Sequence, residues 1–190
     1  MGLVYSEPVV AAAYSGDLRQ LQTLLQRHPQ DVNIQDSYSG DSPLIAACRC
    51  GDVRTAHFLL ERGADPAQCN KKLRSPLHYV CRHTLSMIDF LMICVLMPLL
   101  LLGYFLMLQK HRNQKTLFLQ LLQRGADANT QDYKGNTALH YLCLRMNQRL
   151  LPELLSRTDL LLRNHDGETA LDVALRLKAK NIIRLFQKYN

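Results

Sequence analysis

The chain has 190 residues, 47% of them hydrophobic and 21% charged, which leaves room for one domain with a core of its own and excludes a disordered polypeptide. Its net charge of +7 is unevenly placed: residues 1–70 carry five basic and eight acidic side chains, residues 71–115 seven and one, and residues 116–190 eleven and seven. Six cysteines and an N-terminus lacking a basic region followed by an apolar run predict a reducing compartment, and Cys48-x-Cys50 has no second pair at zinc-ligand spacing, so no metal site is expected.

Residues 1–7 form a separate segment. They open Met1-Gly2-Leu3-Val4-Tyr5-Ser6, which fits the Met-Gly-x-x-x-Ser/Thr pattern for myristoylation of Gly2. One myristoyl chain binds membranes only reversibly, so a stable anchor needs a second signal.

From residue 8 onward a period of about 33 residues runs to the C-terminus. Pro43-Leu44-Ile45-Ala46-Ala47-Cys48 leads to Gly51-Asp52, then Leu59-Leu60, then Gly63-Ala64-Asp65. The same offsets start at Pro8, Pro76, Ala138 and Ala170, giving units of about 8–40, 41–73, 74–135, 136–167 and 168–190. Each unit is predicted to be two short helices and a turn. Between Pro76 and its paired leucines Leu121-Leu122 there are 45 positions where the other units have 16, so the third unit holds an insertion of 29 residues, at about 85–114.

That insertion contains Phe90 to Leu108, nineteen residues without a charge, twelve of them Leu, Ile, Val or Phe. A helix of that length would measure roughly 28 Å, close to the hydrocarbon thickness of a bilayer. Its membrane-inserting side chains are Phe90, Leu91, Ile93, Val95, Leu96, Leu99, Leu100, Leu101, Leu102 and Phe105, interrupted by Pro98 and Gly103. The alternative, a buried core helix, ordinarily carries a polar stripe, and none is present. Lys71, Lys72, Arg74 and Arg82 precede the stretch and Lys110, Arg112 and Lys115 follow it, so both flanks are cytosolic under the positive-inside rule. A single crossing would split the repeats between two compartments. Pro98 removes a backbone donor and turns the run into two short arms, which predicts a hairpin dipping into one leaflet. Cys94 lies within it. Endoplasmic reticulum and lipid-droplet surfaces both suit such a hairpin.

The repeat pattern resembles the ankyrin repeat. The Thr-Pro-Leu-His tetrapeptide of that family appears as Ser75-Pro76-Leu77-His78 and Thr137-Ala138-Leu139-His140, and its Gly-Ala-Asp as Gly63-Ala64-Asp65 and Gly125-Ala126-Asp127. The first and last units lack the tetrapeptide, and the fourth has Arg157-Thr158-Asp159 in place of Gly-Ala-Asp, which puts its turn in question. The resemblance implies an all-α ankyrin-repeat solenoid of about five helix-turn-helix units, here with an apolar membrane-hairpin insertion in the third repeat. Cys48, Cys81 and Cys143 share one repeat position and are expected to be small packing residues, while His78 and His140 share another and are expected to hydrogen-bond rather than catalyse.

No nucleophile and base pair is identifiable, so neither an enzyme nor a cofactor is expected. The leading function is a membrane-anchored adaptor that binds a protein partner at the cytosolic face, touching membrane lipid through the insertion and Gly2. Its expected contact surface is the row of turn tips at Tyr38, Asp41, Arg74, Tyr133 and Lys134. The alternatives are a membrane channel or transport component, which the lack of intramembrane charge disfavours, and a soluble ankyrin adaptor with the apolar segment buried. The basic C-terminal run has no reading module or interleaved aromatics, so nucleic acid is not an expected partner.

Overall fold

The computed structural model describes residues 7–82 and 114–189. The helices are α1 (Pro8–Ser15), α2 (Leu18–Arg27), α3 (Pro43–Cys50), α4 (Val53–Glu61), α5 (Pro76–Arg82), α6 (114–123), α7 (Ala138–Leu144), α8 (Leu151–Leu155), α9 (Ala170–Arg176) and α10 (Lys180–Tyr189). A short 3-10 turn, Pro29–Asn33, follows α2. There is no strand among the described residues, only an isolated bridge between Arg163 and Thr169.

Local chemistry starts and stops the helices. Pro8, Pro43 and Pro76 sit in first turns, where the missing N–H costs nothing. The carboxylate of Asp17 accepts from the Gln20 backbone N–H at 2.9 Å, and Asp52 caps α4 by accepting from Arg54 and Thr55 at 3.0 and 3.3 Å. Thr169 and Asp172 form a reciprocal capping box on α9. Gly16 and Gly51 end α1 and α3 in the left-handed conformation, with φ of 70° and 74°.

The first helices stack in chain order: α1 on α3, α3 on α5, α5 on α7 and α7 on α9. Small residues at the contacts, Ala12, Ala13, Ala46, Ala47 and Ala174, let the helices approach closely. Cys48, Cys81 and Cys143 are buried among them. The second helices close the other side of the core with paired apolar residues: Leu21 and Leu25, Leu59 and Leu60, Leu121 and Leu122, Leu154 and Leu155, Ile182 and Phe186. Each such side chain stabilises the stack by about 1.5–3 kcal/mol through the apolar surface it removes from water.

The solenoid is continuous across the third unit. Helix α6 lies between its counterparts: Gln120 meets His57 of α4 at 2.7 Å, an Arg124 N–H donates to the Leu60 carbonyl, and Lys115 pairs with Glu153 of α8 at 3.3 Å. At its start, Gln114 Nε2 donates to the carbonyl of Val80 at 3.0 Å. The chain therefore leaves α5 and re-enters α6 at one place. Gly2, the apolar stretch Phe90–Leu108 and Cys94 lie outside the described residues, and no described helix is long and apolar enough to cross a membrane.

The fourth unit's turn keeps its neighbour contact despite lacking Gly-Ala-Asp. The Asp159 N–H donates to Asn129 Oδ1 at 2.8 Å, just as the Asp65 N–H donates to Asn33 Oδ1 at 2.8 Å. Asp159 then accepts from the Leu161 N–H, as Asp65 does from Ala67. The aspartate and the preceding unit's asparagine hold this junction, and the glycine is dispensable.

A candidate partner-binding groove

Between consecutive units the chain makes projecting turns at 36–41, 70–74, 132–136 and 164–168, and backbone bonds join each turn to the next. The Lys71 N–H donates to Ser39 O at 3.2 Å, Tyr133 to Lys72 O at 3.1 Å and His165 to Lys134 O at 2.9 Å. Histidines stitch the turns to the first helices. In His78, Nδ1 accepts from the Ser75 N–H at 3.2 Å, leaving Nε2–H to donate to Asn136 O at 3.1 Å. His140 repeats this with Thr137 at 3.2 Å and Glu168 O at 3.1 Å. Burial lowers both imidazole pKa values, keeping the rings neutral in the tautomer these bonds require.

The turns and the first helices enclose a groove of about 960 Å³. Tyr38 and Ser39 of the first turn, Lys71 and Lys72 of the second and Tyr133 and Lys134 of the third form one wall. Arg49 of α3, Tyr79 and Arg82 of α5, Tyr141 and Leu144 of α7 and Arg145 just after it form the other. Of the five residues expected at exposed tips, Tyr38 (75% exposed), Tyr133 (44%) and Lys134 stand there. Asp41 and Arg74 differ: their residues are 0% and 8% exposed, because each turns inward to bind a residue of the next turn, and of the two only Arg74 still lines the groove.

Their partners make two polar networks. Asp41 accepts from Arg49 at 2.8 Å and from Asn70 Nδ2 at 2.6 Å, with the Tyr14 hydroxyl also donating to it; Asn70 Nδ2 donates onward to the Tyr79 hydroxyl at 2.9 Å. Arg74 Nε donates to Asp132 at 3.1 Å and its terminal nitrogen to the Tyr141 hydroxyl at 2.9 Å, while Tyr141 donates to Asp132 at 2.7 Å. Burial works against the Asp132 charge, but Tyr141, the Lys134 and Asn136 amides and Arg74 outweigh it and hold the carboxyl below its ordinary value. Burial and the Asp132 bond push the Tyr141 phenol up to about 12, so it remains a donor. The guanidinium of Arg74 also lies 5.1 Å from the Tyr133 ring and 5.7 Å from the Tyr141 ring.

The spacing argument missed Arg49, Tyr79, Arg82, Tyr141 and Arg145. Repeat register was the available signal: Arg49 and Arg82 both lie six positions after the proline of their unit, and Tyr79 and Tyr141 lie three after Pro76 and Ala138. The described residues contain no group of three or more His, Cys, Asp or Glu side chains placed to hold a metal. Burial raises the thiol pKa of Cys48, Cys81 and Cys143, the last to about 12, which keeps them protonated packing groups.

Stacked helix pairs with projecting turns, and a groove lined by charged and aromatic side chains, define a repeat scaffold that presents a surface for macromolecular recognition. The chain belongs to the ankyrin repeat family: a family model of ankyrin repeats (three copies) matches residues 9–95 and 106–190. It is similar to human Rabankyrin-5, with 31% identity over 173 residues that cover 86% of this chain and 13% of that protein. Mouse Rabankyrin-5 is 43% identical over 58 residues, 30% of this chain and 5% of that protein. The chain thus spans a small part of the length of these curated relatives. Ankyrin repeats imply protein partners in general, and proteins built from them are generally adaptors rather than enzymes.

Proposed function

We propose that the chain is a membrane-anchored adaptor: its ankyrin stack binds a protein partner at the cytosolic face, and residues 90–108 with a myristoylated Gly2 hold it there. The observation that carries this reading is the bond between Gln114 and Val80. A segment whose two ends meet must return to where it began, so an apolar run inside it that entered a membrane would leave it from the same face. Phe90 to Met97 and Leu99 to Leu108 form the two arms on either side of Pro98, with the flanking Lys110 and Arg112 meeting anionic headgroups. A hairpin confined to one leaflet fits an endoplasmic reticulum bilayer and the monolayer of a lipid droplet alike.

An alkaline carbonate wash tests the anchor. The full-length chain is expected to stay with membranes and a variant lacking 90–108 to be released; release of both would mean that the segment is covered by protein instead. For Gly2, incorporation of a labelled myristate analogue is expected in the natural sequence and lost in Gly2→Ala, and labelling that persists in the variant would rule the site out.

A further inference from the structure

We infer that the groove between the turns and first helices takes an extended, carboxylate-rich segment of a partner protein, a deepening that rests on the adaptor reading above. The groove lining carries seven basic side chains and no acidic one. Asp41 and Asp132 beneath it match Arg49 and Arg74. Lys72, Arg82, Lys134 and Arg145 make no ion pair with a described residue, and Lys71, whose ammonium donates to the Ser37 carbonyl beside Asp36, adds a fifth positive charge to the same concavity. Such a field steers an anionic partner in and rejects a basic one.

The kind of anion follows from the two networks in the floor. There the protein twice grips a carboxylate with an arginine and a tyrosine hydroxyl, helped once by an asparagine amide. The same donors line the open side, where Tyr38 and Tyr133 add amphipathic walls beside Lys72 and Lys134. A flat membrane surface cannot reach the floor of a concavity. A polypeptide can: three successive units set two steps of about 8–10 Å each, a span that about six extended residues cover. Six residues give room for enough carboxylates to answer the five cations.

The test uses the full-length chain in detergent micelles and a fluorescein-labelled octapeptide of alternating Glu and Ala, read by fluorescence anisotropy. Saturable binding is expected, weakened as salt rises from about 50 to about 300 mM and about tenfold weaker in Lys72→Glu/Lys134→Glu. These exposed side chains leave the backbone ladder intact, and circular dichroism of the variant verifies its fold. Lys180→Glu/Lys188→Glu on α10, away from the groove, is expected to bind like the natural sequence. No binding, equal binding of the Gln-Ala peptide, or undiminished affinity in Lys72→Glu/Lys134→Glu would overturn the inference. Phosphatidylserine vesicles or an oligothymidylate that displaced the peptide and bound more tightly through the same lysines would overturn it too, by naming a different occupant. Because the assay needs no membrane, its failure leaves the carbonate result standing, and the reverse also holds.

Discussion

Leu73 occupies a backbone position that its neighbours reserve for glycine. Its φ is 54°, where Gly40, Gly135 and Gly167 at the same place in the other turns have 72°, 73° and 76°. An L-residue pays about 1–2 kcal/mol to sit there, and Leu73 is 55% exposed, so its side chain recovers little of that. Leu73→Gly is therefore expected to stabilise the protein by about 1 kcal/mol, seen as a higher urea midpoint with unchanged slope. Gly135→Ala should do the opposite, since a Cβ there would lie 2.9 Å from the His165 nitrogen. The buried histidines add a pH signature. Their folded pKa values are depressed below 6.5, so the unfolded chain binds protons first as pH falls, and stability declines from about pH 6.5 downward. His140→Gln is expected to make that decline shallower between pH 7 and 5.5, as read from urea midpoints. The residue-level features that the sequence made legible were those with a repeated partner in the same unit: His78 with Ser75 and His140 with Thr137 are three positions apart, and the tetrapeptide displays both.

Elements are joined less legibly. The inward turn of Asp41 and Arg74 depends on Asn70 and Asp132, which stand at matching positions of the next turn, and Asn164 donates to Asn136 Oδ1 in the same way at 3.1 Å. One structural slot is thus filled by aspartate with asparagine, by arginine with aspartate and by asparagine with asparagine. No single motif displays such a set, because the two residues of each pair stand in successive turns, far apart in the sequence, and their chemistry changes from junction to junction. The turn spacing placed Asp41 and Arg74 at the tips correctly in the backbone and wrongly in the side chain. The Arg74 and Asp132 pair is buried on both sides, so Arg74→Ala would leave a charged carboxylate with only part of its partners. A loss of about 3 kcal/mol is expected, with the double variant Arg74→Ala/Asp132→Ala losing less than the two single changes summed. Thermal unfolding of the four proteins measures that coupling.

At the scale of the whole molecule, the period in the sequence located the interruption of the third unit, and the structure supplies what the period could not, namely that both of its edges meet. Removing 85–113 while making Thr84→Gly and Gln114→Asp would recreate the Gly-Asp that joins α1 to α2 and α3 to α4. The shortened chain is expected to unfold cooperatively, to keep the octapeptide affinity and to lose its resistance to carbonate. Failure to fold would show that the insertion is part of the core.

The meeting of Val80 and Gln114 also governs the order in which the protein assembles. Bringing α5 and α6 together across about thirty residues rather than two costs roughly 2 kcal/mol more in chain entropy, and that cost is met before the contact rewards it. Neither flank reaches three complete units without this junction, and a stack of fewer is marginal. Docking of α6 against α5 is then the expected slow, committing event of folding, and any partner that draws the end of α5 and the start of α6 together would speed it.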